Sequence, residues 1–191
     1  MAKVDSKSPF FGCRGRIGDF VFRTCGGVTI VSAWPRKKNE PPTTKQESVE
    51  NNFKTATLYA KLIVNVPALS SIYNQKLKKG QTIYKLAFKD FLTAPKVESI
   101  DCSGYSGAPG DIITVLAIDD FEVIKAEICI RNQEGKIIEE GVCKSEGKSL
   151  FWHYTTKSKI ADVTGYTVKA FAMDNPGNIG ELEVTIPNRP Q

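Results

Sequence analysis

The sequence predicts an α+β chain in three parts: an N-terminal β-hairpin, a small helical block and an all-β sandwich. Three observations carry that expectation. A glycine pair sits between two runs of β-branched and aromatic residues near the N-terminus. Apolar residues then recur at helical spacing until a proline interrupts them. From Lys96 onward, short alternating runs follow one another between turn residues. The charges divide the same way. Met1 to Lys96 holds 17 Lys+Arg against 6 Asp+Glu, a net +11, and Val97 to Gln191 holds 9 against 15, a net −6. The total of +5 over 191 residues conceals two units of opposite sign. With 41% hydrophobic and 9% aromatic residues, collagen, a coiled coil and a wholly disordered chain are excluded.

The first part, residues 1–42, contains the hairpin. Phe20-Val-Phe-Arg23 and Val28-Thr-Ile-Val31 flank Gly26-Gly27, which suits the positive φ angles of a tight hairpin turn. Pairing about that turn sets Phe20 opposite Ala33 and Phe22 opposite Val31 on one face, because side chains alternate along a strand. Val21, Arg23, Ile30 and Trp34 share the other. Both faces have apolar character and no third strand follows nearby, so a two-stranded ribbon must rest on something. Pro35-Arg-Lys-Lys-Asn-Glu-Pro-Pro42 is a stiff basic connector.

Residues 43–95 form the helical block. Thr44-Lys-Gln-Glu47 reads as a capping box ahead of a helix from Lys45 to about Val64. Val49, Phe53, Ala56, Ala60 and Ile63 make its apolar stripe. Pro67 stops that helix; a second runs from about Ala68 to Lys78 before Gly80, and a third from about Thr82 to Leu92 before Pro95. About 50 residues are too few to be comfortable alone.

Residues 96–187 carry seven candidate strands: 97–102, 111–118, 123–131, 136–143, 149–156, 165–173 and 180–186. That count and rhythm are those of an immunoglobulin-like sandwich. Trp152 is its expected core aromatic. The five cysteines show no CxxC pair, and a turn at Glu134-Gly135 puts Cys129 opposite Glu140 rather than Cys143. They read as small buried hydrophobes.

The stretch Ile118-Asp-Asp-Phe-Glu-Val-Ile124, then Glu134-Gly135, Trp152 and Ala170-Phe-Ala-Met-Asp-Asn-Pro-Gly-Asn178 resembles bacterial immunoglobulin-like modules. Those modules often carry an A-x-D-x-x-G-N turn before the last strand and are common in surface, adhesive and phage structural proteins. Gly15-Arg-Ile-Gly18, Trp34-Pro35, Thr43-Thr-Lys-Gln46 and Phe53 resemble small uncharacterised Bacteroidota proteins. Together these resemblances imply an assembly component.

Chemistry-bearing patterns are sparse, and the expectation is a protein that is not an enzyme and needs no cofactor. With His153 as the one histidine, a Ser-His or Cys-His pair has no other base, and mid-strand His153 reads as a sheet residue. Zinc-ligand spacing is absent. Gly12-Cys-Arg-Gly15-Arg-Ile-Gly18 is followed by a strand rather than the helix a phosphate loop needs, so its glycines serve turns or close approach. Asp119, Asp120 and Asp174, with Asn175 and Asn178, are weak calcium candidates whose competing role is to bond turn backbone.

Two partner classes remain. The basic half, with Arg14, Arg16, Arg23, Arg36, Lys37 and Lys38 among Phe20, Phe22 and Trp34, admits nucleic acid. The leading expectation is a head-to-tail homo-oligomer, a ring or filament, in which opposed charges orient the copies. Phe20, Phe22, Val31 and Trp34 are the expected apolar anchors, and Arg14, Arg16, Arg36, Lys37 and Lys38 the basic contacts. Glu139 and Glu140 are the acidic ones. The ribbon's open edges suggest strand addition, although it could equally pack within its own chain. No signal peptide or membrane-inserting span is visible, so synthesis in the cytoplasm is expected, with a particle or filament as the destination.

Overall fold

The computed structural model describes residues 2–35, 41–147 and 149–187. It divides into two compact units, Met1–Gln46 and Glu47–Gln191. The chain is mixed α+β and mostly β, with three antiparallel sheets and three helices among the described residues.

The first unit is one sheet. Its strands β1 (Ala2–Lys3), β2 (Gly15–Ile17), β3 (Phe20–Cys25) and β4 (Val28–Ala33) lie in the order β1-β4-β3-β2. Phe20 pairs with Ala33 and Phe22 with Val31, the register that Gly26-Gly27 and the alternation predict. Both glycines have positive φ, 57° and 79°, as a tight hairpin turn requires. The ribbon is not two-stranded, however. Ala2 and Lys3 pair with Val31 and Ile30 on one side, and Gly15 to Ile17 pair with Phe22 to Phe20 on the other. The flanking strands precede the hairpin in sequence and are only two and three residues long, too short to show alternation. Gly12, Gly15 and Gly18 all have positive φ and turn the chain around β2.

Helix α1 (Thr44–Asn65), whose first residues close the first unit, is followed in the second unit by α2 (Pro67–Asn74) and α3 (Ile83–Leu92), ahead of the strands. The capping box sits one residue earlier than Thr44…Glu47. Thr43 Oγ1 accepts from the Gln46 amide at 3.3 Å, and Gln46 Oε1 accepts from the Thr43 amide at 2.9 Å. Pro67 opens α2 at its first turn, where a missing N–H costs nothing. That helix ends at Asn74 instead of Lys78, because the Lys76 and Leu77 amides bond three residues back and tighten the chain into a turn.

The seven expected strands are β5 (Lys96–Asp101), β6 (Ile112–Ile118), β7 (Val123–Arg131), β8 (Ile137–Val142), β10 (Phe151–Thr155), β11 (Thr167–Asp174) and β12 (Ile179–Thr185). A two-residue strand, β9 (Lys144–Ser145), is additional. The sheet orders are β5-β6-β10-β9 and β12-β11-β7-β8. Ile113, Val115 and Ala117 of one sheet and Ala126, Ile128, Ile130, Val168, Ala170 and Ala172 of the other form a common core, so the two make a sandwich. Cys129 stands opposite Glu140, as expected, and Cys143 is a separate buried thiol whose pKa burial pushes up to about 12.

Among the described residues of the sandwich core, the fully enclosed aromatics are Tyr105 and Tyr154; Trp152 packs against the core but stays partly exposed. Tyr154 reaches across and donates to Glu139 Oε1 at 2.8 Å, so the tyrosine takes the centre because its hydroxyl finds a buried acceptor.

Gly180 marks where β12 passes the entry to β5: a Cβ there would overlap the Pro95 carbonyl oxygen. Gly180→Ala should destabilise the chain by about 1–3 kcal/mol, read as a lower urea midpoint. An unchanged midpoint would mean that the Pro95 carbonyl moves aside freely.

Candidate functional site

Among the described residues of the first unit only Val21, Phe22 and Thr29 are buried, although the unit is rich in large apolar side chains. Phe22 is held internally, stacked on Phe10 with ring centroids 5.6 Å apart. The expectation of Phe22 as an open anchor is therefore corrected: a chain segment N-terminal to the hairpin folds over it. Thr29, on the same face, accepts the Gly12 amide at 2.8 Å. Val31 is half-buried. Phe20 (55% exposed), Ile17 (50%) and Trp34 (45%) stay open, and Phe10 and Phe11 are nearly as exposed.

The basic residues of this sheet partly serve it. Arg16 lays its guanidinium over the Trp34 ring, 4.4 Å from the centroid, while its Nε donates to the Gly18 carbonyl at 2.8 Å. One face of Trp34 is thus already covered by a cation. Arg14 is exposed. Arg36, Lys37 and Lys38 lie outside the described residues.

Helix α1 adds a second open apolar surface. Ala56, Ala60 and Ile63 of its expected stripe are buried, but Val49 (69% exposed) and Phe53 (57%) are not. The reason is length. At 1.5 Å per residue α1 runs about 33 Å, against about 15 Å for α3, so its N-terminal turns outrun their cover. Phe53 keeps one edge-on contact with Phe88 at 5.0 Å. Leu58 and Leu62 are exposed on the same helix.

Of the two acidic contacts, Glu140 is exposed and Glu139 is not. Glu139 accepts from the Tyr154 hydroxyl and from the Lys157 and Ser158 amides at 2.8, 2.7 and 3.0 Å. Those bonds hold its pKa below the ordinary carboxylate value despite burial. The expectation of Glu139 as a partner contact is corrected: it is an internal acceptor, placed there by the inward alternation of β8.

The calcium candidates are brackets of the junction between helices and strands. Asp119 Oδ2 accepts the Phe121 and Glu122 amides at 2.8 and 2.7 Å. Asp120 pairs with Lys89 at 2.8 Å. Asp174 accepts from the Asn178 amide at 2.6 Å and from its Nδ2 at 2.8 Å, across a turn in which Gly177 has φ 92°. Asn178 Nδ2 also donates to the Asp90 and Phe91 carbonyls at 3.3 and 3.1 Å, at the end of α3, where the Asp90 carbonyl also accepts the Thr93 amide at 3.3 Å. Among the described residues no group of three His, Cys, Asp or Glu side chains is arranged to hold a metal. His153 is a sheet residue opposite Thr114, whose hydroxyl lies 3.1 Å from Nδ1.

Sequence reasoning missed a buried chain of hydroxyls ending on a carboxylate. Tyr59 OH lies 2.8 Å from Tyr73 OH, which donates to Asp90 Oδ2 at 2.5 Å. Asp90 is 2% exposed and its Oδ1 has no hydrogen-bond partner. Burial first, then the nearby Asp119 and Asp174 carboxylates, push its pKa up to about 7, against the opposing Tyr73 hydrogen bond and Lys76 charge. In sequence Asp90 sits among apolar helix positions beside Lys89, where a charged residue ordinarily marks the solvent face. No local signal separates the two.

No family model and no curated protein matches this chain. Among solved structures, the crystal structure of CopC from Methylosinus trichosporium OB3b is similar at 19% identity and a TM-score of 0.35, over 49% of this chain and 93% of that one. No helix among the described residues is long and apolar enough to cross a membrane.

Asp90 makes stability depend on pH with a definite sign. Its folded pKa is raised from 3.8 to about 7, so the folded state keeps a proton that the unfolded state releases. Its contribution is complete below about pH 4, declines as pH rises toward about 7, and is flat above that. Asp90→Asn keeps an acceptor for Tyr73 and removes the titration. Relative to this variant, the wild type should lose a few kcal/mol of unfolding free energy between pH 4 and 8, measured by urea melts. Parallel pH profiles of the two proteins would sink the assignment.

Proposed function

We propose that this chain is a non-enzymatic structural subunit that self-assembles through its hairpin and helical half and carries an immunoglobulin-like domain. One observation carries the reading: large apolar side chains stay exposed on the first unit and along α1, while few residues of the first unit are buried. Single exposed apolar residues are ordinary, but a group of them on one small unit marks an interaction surface.

The occupant is a second copy of the same chain. Met1–Gln46 carries 9 Lys+Arg against 3 Asp+Glu, a net +6, whereas Val97–Gln191 is net −6, so a head-to-tail meeting is attractive and a like-to-like one is not. Glu140 on β8 and Glu181 and Glu183 on β12 are exposed carboxylates able to face Arg14 of the next copy. Contacts of this heterologous kind lead to rings or filaments. The immunoglobulin-like identity of the sandwich draws support from the sheet orders. Three strands, first, second and fifth, face a sheet ordered last, next-to-last, third and fourth once the two-residue β9 is set aside.

Light scattering on the full chain at micromolar concentration and low salt should give a large species that shrinks as salt rises. The double variant Phe20→Ser, Trp34→Ser should return it toward monomer while leaving the far-ultraviolet circular dichroism unchanged. A clean monomer of the unmodified chain in low salt would sink the proposal. A duplex DNA added at low salt checks the remaining partner class: retention that weakens steeply with salt would point to nucleic acid instead.

A further inference from the structure

The two faces of the first-unit sheet differ in kind, and only the strand pairing reveals it. Lys3 stands opposite Ile30, Ile30 opposite Arg23, and Arg16 opposite Val21, so one face gathers the three cations of the sheet. Strands β1 to β4 carry no carboxylate. All three cations are exposed, and among the described residues none is in an ion pair. Beside them lie buried Val21, half-buried Ile30 and the Trp34 ring beneath the Arg16 guanidinium. The connector 36–40, outside the described residues, adds three cations and one carboxylate.

The sandwich carries a counterpart on the outer face of its β12-β11-β7-β8 sheet. One row across that face runs Glu183, Lys169, Cys129, Glu140, and the next runs Glu181, Phe171, Glu127, Val142. Lys169 pairs with Glu181 and Lys125 with Glu127, which leaves Glu140 and Glu183 exposed and without an ion pair among the described residues. Arg131, two residues beyond Cys129, pairs with neither; with it counted, the face holds four glutamates against three cations. Arg189, past the end of β12, lies outside the described residues. A shallow cleft of about 190 Å³ beside Phe171, Met173 and Ile179 opens on the same face. The other sheet has no acidic surplus: on its strands Lys96 and Lys144 balance Glu98 and Asp101, and Lys148, outside the described residues, follows β9.

Position matters more than the total. Both sheets are four strands wide, and each bears unpaired charge on its outer strands: Lys3 on β1 and Arg16 on β2, Glu183 on β12 and Glu140 on β8. Outer strands of such a sheet stand three spacings apart, about 14 Å. Two cations and two carboxylates at one separation, each pair flanking apolar side chains, can meet face to face. Nucleic acid fits the basic face less well, because the ring on it, Trp34, is already capped on one side by Arg16 and no row of rings is there to stack bases.

We propose that the basic face of the first-unit sheet seats on the outer face of the β12-β11-β7-β8 sheet of a second copy. The pairing rests on the assembly reading above and names the two surfaces that reading leaves open. Lys3, Arg16 and Arg23 meet Glu140 and Glu183, while Ile30 and Trp34 cover Phe171 and the cleft beside it. Because the two faces differ, the contact is heterologous and passes from copy to copy.

Charge reversal tests the pairing, with light scattering of the full chain at low salt as the readout. One variant is Lys3→Glu with Arg23→Glu, the other Glu140→Lys with Glu183→Lys. All four side chains are exposed, and both variants should keep the far-ultraviolet circular dichroism of the unmodified chain. Each variant alone should show an average mass roughly tenfold or more below that of the unmodified chain, because like charges then face one another. An equimolar mixture should recover the large species, since each reversed face finds its opposite on the other variant. Recovery in the mixture requires contact between chains and excludes docking of the two faces within one chain. The proposal is overturned if the unmodified chain assembles and either variant alone still does so, or if the mixture stays small; the assembly reading survives both results. A monomeric unmodified chain sinks that reading and this pairing together. The pairing also fails if Lys3→Glu with Arg23→Glu abolishes retention of duplex DNA without reducing association of the chain, which assigns the basic face to nucleic acid.

Discussion

The second unit depends on Phe121. Its ring is 8% exposed, stacks on Tyr73 with centroids 4.3 Å apart, and completes a core otherwise made by Ala60, Ile63, Tyr73 and Ala87. Those four come from three helices whose small buried residues cannot enclose one another; the loop between β6 and β7 supplies the missing volume. Helices this short are marginal in isolation, and most of their stability comes from packing. The helical block is thus not a free domain placed before a sandwich. It borrows the centre of its core from the strands.

Several polar groups around that ring help to hold it. Asp119 folds the loop by accepting two consecutive amides, which presents Phe121 toward the helices. The Lys76 ammonium lies over the ring, 4.3 Å from its centroid, and ties the Phe121 carbonyl to the turn that follows α2. The Lys89–Asp120 pair is largely exposed and contributes little on its own, since solvent screens such pairs. Asn178 does more. It closes the Asp174 turn and satisfies α3 carbonyls at once, so one side chain fastens the last hairpin to the last helix. Asp90 sits in the middle of this fastening as a buried carboxyl. Its cost is limited because the fold holds it protonated toward neutrality, with Tyr73 as its neighbour.

What could be read from the sequence follows from how local each signal was. Gly26-Gly27 and the flanking alternation determine the hairpin register without reference to anything distant, and Phe20 stands opposite Ala33 as a result. Seven strands were legible because turn residues separate them. The capping box was ambiguous by one residue: Thr43…Gln46 and Thr44…Glu47 both satisfy the pattern, and only the backbone decides which threonine takes the cap. The strands β1 and β2 exist only because β4 and β3 offer them edges, which no two- or three-residue window can reveal. Glu139 and Asp90 were misread or missed for one reason. A carboxylate in sequence looks solvated, and its burial depends on acceptors and donors contributed from far along the chain, such as Lys157 and Ser158 for Glu139.

The geometry also constrains the association proposed above. The long strands β3 and β4 are interior, and the unit's outer strands are short, with Lys3 on β1 and Arg16 on β2. In the sandwich every outer strand carries exposed charge: the Lys96–Glu98 pair on β5, Lys144 on β9, Glu140 on β8, and Glu181 and Glu183 on β12. Short, charged edges discourage strand addition. The same care is not taken with faces, where Ile17, Phe20 and Trp34 stand open, nor with the overhang of α1, where Val49 and Phe53 do. Backbone pairing is therefore closed off while side-chain packing is left available. Copies that meet would do so by covering apolar faces, with the opposed charges of the two halves selecting which end meets which.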